Sequence, residues 1–186
     1  YVKVALSVVD PEGAEKNLEA ELPGWDFDKT REESTHIWNE ALNLIQIEAD
    51  PKVMVNFYTA QYHTKLTPNL MSDVNGEYRR HDQRIARMPQ GGAYYSTFSL
   101  WDTFRAWNPL QTLVDTTLVN DMIRSMLDMY DITGELPIWP LASGAGGGVG
   151  GALPWRVGHC RRLPERYPRI RCRKGARCDD PLVEHQ

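Results

Sequence analysis

At 186 residues the chain suffices for one domain or a substantial part of a larger one, and its 41% hydrophobic and 10% aromatic content excludes a disordered or collagen-like polypeptide. The formal charge of −4 conceals two compositions: residues 1–150 hold 12 Lys+Arg against 21 Asp+Glu, and residues 151–186 hold 9 against 4. No run of eighteen apolar residues occurs, so no membrane-spanning helix is expected. No basic-then-apolar leader opens the chain, which starts at Tyr1 rather than Met and reads as a piece entered partway.

Tyr1–Val9 alternates loosely and is rich in Val, the pattern of a β-strand. Asp10-Pro11-Glu12 predicts a helix start, with Asp as N-cap, Pro in the first turn and an acid near the positive helix end; this helix runs to about Leu22, before Pro23-Gly24. A second helix over about 28–48 carries Phe27, His36, Ile37, Trp38, Ala41, Leu42 and Ile45 at three- and four-residue steps. Asp50-Pro51 opens a third, to about Leu66, with a broad apolar face that includes Val53, Met54, Phe57 and Tyr58. His63 on that helix reads as a packed core histidine rather than a ligand.

Residues 69–90 mix turn formers with polar alternation and predict an inserted loop or hairpin. Asn75-Gly76 predicts a type I′ or bulged turn; Asp73–Glu77 lacks the remaining ligand positions of a calcium loop. A short strand is expected at Tyr94–Phe98, a helix from Leu100 to about Trp107 halted by Pro109, and another over about 116–130. The last has Leu118, Met122, Ile123, Met126 and Leu127 as its stripe, and Met122, Met126 and Met129 read as core filler.

The C-terminal part of the chain differs in kind. After Ser143 comes Gly144-Ala145-Gly146-Gly147-Gly148-Val149-Gly150-Gly151, then an Arg-rich stretch without apolar periodicity that holds Cys160, Cys172 and Cys178. Their spacings of twelve and six fit no zinc pattern. One reading is a flexible linker with a basic tail for a polyanion. The favoured reading is a frameshift. Codons ending in C before codons starting with G read as Arg in the wrong frame, and allowed codons for Leu153 through Ala176 read one base later as YHGASVIADAYLKGIRGFDAEKAL. That string has the helical Ala/Ile/Leu character that the visible tail lacks, so residues 144–186 are expected to be disordered and their cysteines and arginines functionless.

Candidate chemistry centres on Trp101 and Asp102, with Arg105 one helical turn on. An indole face stacks on the apolar face of a pyranose, a carboxylate accepts hydrogen bonds from two neighbouring hydroxyls, and Arg105 at i+3 is placed to hold Asp102 by a charged pair. The competing reading is a helix N-terminus, with Ser99 or Asp102 as cap and Trp101 in the core. Trp139, between Pro137 and Pro140, either lines a pocket floor or fills the core.

Four segments in fixed order, F-Y-T-A-Q-Y-H-T (57–64), P-N-L-M-S-D-V-N-G-E-Y-R (68–79), S-L-W-D-T-F-R-A (99–106) and L-P-I-W-P-L-A (136–142), resemble the glycoside hydrolase family 92 exo-α-mannosidases. The resemblance covers residues 1–143, and the out-of-frame string is similar to the next stretch of sequence in that family. It implies a mainly α fold: the last strand of a β-sandwich at 1–9, linker helices at 10–50 and the first part of an (α/α)6 catalytic barrel at 51–143. It implies a periplasmic or secreted bacterial enzyme that needs Ca2+ and releases terminal, α-1,2-linked mannose from glycans with inversion. Trp101 and Asp102 then become substrate contacts, Arg105 stays between roles, and Trp139 joins as a candidate. Inversion needs two carboxyl groups about 6.5–9.5 Å apart; the resemblance places these, and the calcium ligands, in later segments, so the fragment itself is expected to be inactive. Another (α/α)6 glycosidase, trehalase- or glucosidase-like, and a non-catalytic carbohydrate-binding protein are the alternatives. No nucleic acid is expected, and no protein partner is identifiable from the sequence.

Overall fold

A computed structural model describes residues 1–89, 91–134, 136–137, 139–141 and 144–146. The frameshift reading and the three cysteines lie outside the described residues, save that Gly144–Gly146 is a short strand rather than disordered.

Among the described residues there are six helices, α1 (Pro11–Glu21), α2 (Phe27–Leu42), α3 (Pro51–Thr64), α4 (Leu100–Thr103), α5 (Trp107–Val114) and α6 (Thr116–Thr133). Among the same residues six short strands form three antiparallel pairs. β1 (Asn69–Leu70) pairs with β4 (Tyr95–Ser96), β2 (Glu77–Arg79) with β3 (Ile85–Arg87), and β5 (Trp139–Leu141) with β6 (Gly144–Gly146). The fold is mainly α, as expected.

Local chemistry explains most helix starts. Asp10 caps α1 by accepting the Gly13 N–H at 2.7 Å, and Asp26 caps α2 through the Lys29 N–H at 3.0 Å. Asp115 does the same for α6 through Leu118. Gly134, at φ 76°, ends α6 by adopting the left-handed conformation that side chains resist.

Several expectations need correction. Tyr1–Val9 forms no strand: a strand exists through its ladder, and this segment has no strand partner among the described residues. α2 ends at Leu42, because Asn43 breaks into a turn well before residue 48. The helix expected from Leu100 to Trp107 is two helices. Pro109 does not halt it but sits in the first turn of α5, where its missing N–H costs nothing. His63 is exposed, its ring tilted against Tyr62 at 5.7 Å, and Leu127 is 40% exposed rather than part of the buried stripe.

Two apolar clusters bury α6. Phe98, Leu100, Val119, Met122, Ile123 and Met126 form the first, with Tyr95, Trp107 and Leu118 against it. Tyr78, Met88, Tyr94 and Met129 form the second, where the Tyr78 and Tyr94 rings stack at 4.0 Å. The three methionines are core filler, in line with their spacing. By contrast α2 buries no residue, and Ile37, Val53 and Val55 stand more than half exposed.

The N-terminal segment is held by the loop and hairpin instead of a sheet. Asp73, 6% exposed, accepts the Ser7 hydroxyl at 2.7 Å and the Asn17 amide at 2.9 Å, while the Arg79 guanidinium donates to the Val8 and Val9 carbonyls. Gly76, at φ 81°, closes the 73–76 turn by donating to the Asp73 carbonyl, the bulged alternative rather than type I′.

Candidate functional site

The stretch from Ala93 to Ser99 delivers Trp101 and Asp102, and α6 fixes its path. Consecutive backbone donors each find a side-chain acceptor: Ala93 N–H to the Asp121 carboxylate at 3.1 Å, Tyr94 N–H to the Ser72 hydroxyl at 3.1 Å, and Tyr95 N–H to the Ser125 hydroxyl at 2.9 Å. Ser125 is fully buried and its hydroxyl donates in turn to the Asp121 carbonyl. Thr97 then takes a left-handed turn at φ 61°, unusual for a β-branched residue, and its N–H reaches the Pro140 carbonyl at 2.9 Å. That bond ties the loop to β5 and brings Trp139 beside Ser99.

Ser99 caps α4, and its hydroxyl serves three groups. It donates to Asp102 Oδ2 at 2.7 Å, accepts the Asp102 N–H at 3.4 Å and accepts the Trp139 indole N–H. Ser99-x-x-Asp102 is the sequence signal of such a start; it identifies a cap and says nothing of the third bond, which comes from forty residues away.

The four expected site residues divide. Trp101 is 63% exposed, so it does not fill the core, although the capping half of the competing reading is present in Ser99. Asp102 is exposed and linked through Ser99 to Trp139, which at 54% exposure is not a core residue either. Arg105 does not hold Asp102: its guanidinium lies over the Phe104 ring, 5.3 Å from the centroid. Asp121, Ser125 and Ser72 were not legible as contributors, because no local motif marks a side chain that braces a distant backbone.

The electrostatics behind the site are those of a buried phenol layer. Burial, then the Asp128 carboxylate, pushes Tyr78 up to about 12, and burial raises Tyr94 and Tyr95 as well. Arg80 pairs with Asp128 at 2.8 Å, while burial lowers His81. Among the described residues no three His, Cys, Asp or Glu side chains cluster as metal ligands. An apolar groove of about 640 Å³ between α2 and α3, lined by residues including Leu42, Met54, Val55 and Tyr58, contains none of the four expected residues. It offers almost no polar group to orient a sugar.

Trp101 and Trp139 are both exposed, and Trp139 is bonded through Ser99 to the exposed Asp102, so ring faces and a carboxylate are open to a ligand. The chain belongs to glycosyl hydrolase family 92, whose catalytic-domain model matches residues 13–153. This membership separates it from the trehalase- and glucosidase-like alternative. Among solved structures it is similar to the family GH92 α-mannosidase BT3965 of Bacteroides thetaiotaomicron (35% identity, TM-score 0.70, covering 75% of this chain and 19% of that one). It is also similar to the inverting mannosidase BT2199 of the same organism (27% identity, TM-score 0.68, 76% of this chain, 19% of that one). A secreted glycosidase of Arthroderma benhamiae is 34% identical over 80 residues, 40% of this chain and 10% of that protein. The chain thus spans about a fifth of the similar structures and a tenth of the curated relative. No helix among the described residues is long and apolar enough to cross a membrane.

Proposed function

We propose that this chain supplies part of the mannose pocket of a secreted or periplasmic exo-α-mannosidase. The observation that carries the reading is the bonded run Asp102–Ser99–Trp139, with Trp101, the residue before Asp102, 63% exposed. Family membership and the mannosidase activity of the similar structures support it. On this reading Trp101, Trp139 or both stack on the apolar face of a terminal mannose, and Asp102 accepts a hydroxyl. The carboxylate and the ring faces hold the sugar more tightly as it flattens toward an oxocarbenium ion than in its ground state.

The rest of the reaction belongs to the rest of the protein: the general acid, the base that activates water, and the Ca2+ that the family resemblance implies. α-1,2 linkage and a role in N-glycan breakdown are part of the same proposal, as is the placing of α3–α6 in an (α/α)6 barrel. Tyr1–Val9, with Val2, Val4 and Leu6 exposed at alternate positions, then pairs with a sandwich strand outside this chain.

The test is mannose release by the whole protein from a terminal α-mannoside, with Trp101→Ala and Asp102→Ala beside the parent. Full activity in the double variant would sink the site. Calcium-dependent release by the 186-residue chain alone would sink the assignment of acid and base to other segments.

A further inference from the structure

The Ser99 hydroxyl has one proton and two lone pairs, and all three are committed: the proton to Asp102 Oδ2, the lone pairs to the Trp139 indole N–H and the Asp102 backbone N–H. A hydroxyl with a free lone pair turns about its bond; this one has no alternative orientation that keeps its partners. Ser99 itself is held from below, since its carbonyl accepts both the Thr103 hydroxyl at 2.7 Å and the Thr103 N–H at 3.1 Å. β5 is held independently by the Thr97 N–H to the Pro140 carbonyl.

We propose that Ser99 is the positioning residue of this site: one saturated hydroxyl fixes both the carboxylate rotamer of Asp102 and the plane of the Trp139 indole. The inference rests on the mannose-pocket reading for its ligand, though not for its geometry. It also narrows what Asp102 does. Oδ2 accepts the Ser99 proton and Oδ1 has no partner among the described residues, so Oδ1 is the oxygen with its full acceptor capacity open to a sugar hydroxyl. The indole N–H is likewise occupied, which leaves Trp139 its ring face and not its donor for a ligand.

Three substitutions in the 186-residue chain separate positioning from mere helix capping. Ser99→Thr keeps cap, acceptor and donor. Ser99→Asp keeps a strong cap and an acceptor for the indole, but it has no proton for Asp102 and sets a like charge against it. Ser99→Ala loses all three. One readout is the indole N–H resonance of Trp139 in chain with ¹⁵N-labelled tryptophan, assigned by Trp139→Phe. The other is the affinity of the whole protein, parent and the same variants, for methyl α-mannoside, measured by titration calorimetry.

The expected result is an indole N–H that stays protected from exchange in Ser99→Thr and Ser99→Asp, and a shifted, rapidly exchanging one in Ser99→Ala. Affinity for the mannoside should be retained in Ser99→Thr and fall about tenfold or more in Ser99→Asp and Ser99→Ala, the loss of a charge-assisted hydrogen bond's guidance. An indole resonance indifferent to Ser99→Ala overturns the proposal whatever the sugar does, and so does undiminished affinity in Ser99→Asp. If the whole parent protein ignores the mannoside while the indole responds as described, the mannose reading fails and the Ser99 node stands.

Discussion

Asp73 and Gly13 are packed so closely that a methyl group on Gly13 would overlap the Asp73 carboxylate, with the Ser7 hydroxyl only 2.7 Å away. Gly13 is the one buried residue of α1, and it lies where the N-terminal segment, α1 and the 73–76 turn converge. A glycine in a helix usually gives way to alanine with a gain in stability of about 0.5–1 kcal/mol. Here overpacking should reverse the sign, and Gly13→Ala should destabilise the chain by about 1–3 kcal/mol. In an Asp73→Ala background the penalty should shrink, because only the Ser7 hydroxyl then has to give way. Urea unfolding of the four variants measures both, and a stabilised single variant would show that the carboxylate moves aside at no cost.

Ser125 braces the loop that carries the site. Ser125→Ala leaves the Tyr95 N–H without its acceptor in a buried position, which should cost about 1–3 kcal/mol. The loss should be local before it is global, so amide exchange at Tyr95 should accelerate more than exchange within α6. Equal acceleration throughout would mean that Ser125 supports only the helix.

Stability should fall at both ends of the pH range, for opposite reasons. His81 is held below its ordinary value of 6.5 by burial, against the opposing pull of Asp128. The unfolded chain therefore takes up a proton first, and stability is lost as pH falls below about 6.5, levelling once the folded imidazole is also protonated. His81→Gln should flatten that limb.

Tyr78 works in the other direction. Its phenol is pushed up from 10.0 to about 12, so its contribution is complete below 10.0 and is lost as pH rises through about 12. Tyr78→Phe should blunt the alkaline loss of thermal stability. Tyrosinate absorbance in the parent should show a phenol that titrates well after the exposed ones, and a single transition near the ordinary value would contradict the burial.

Asp102→Ala in the whole protein should reduce mannose release by about tenfold to over a hundredfold, corresponding to about 1.5–3 kcal/mol for one hydrogen bond to a charged group. Trp101→Ala should act in the same direction with thermal stability little changed, since the indole is 63% exposed and leaves no cavity. Arg105→Ala should be nearly silent for catalysis, because the guanidinium rests on Phe104 and not on Asp102. A loss at Arg105 comparable with that at Asp102 would restore the ion pair that the sequence spacing suggested.

What the sequence by itself determined is what short-range chemistry can write. Asp10-Pro11, Asp26 and Asp50-Pro51 mark helix starts because capping and the first-turn tolerance of proline are matters of a few adjacent atoms. The Met122, Met126 and Met129 spacing marks a buried face for the same reason, and the W-D-T-F-R and W-P-L-A blocks carry the family. Only the tertiary structure decided the rest. Pro109 opens a helix rather than closing one because Ala106 had already left the helical path. Tyr1–Val9 is no strand because a ladder needs a neighbour, and Arg79 and Asp73 hold the segment by other means. Arg105 and Asp102 have a helical spacing and yet do not pair, because α4 ends at Thr103 and the Arg105 guanidinium lies over the Phe104 ring. The site is made by an indole donor that arrives from β5, forty residues along the chain, and no local pattern encodes a bond whose two ends meet only after the chain has folded.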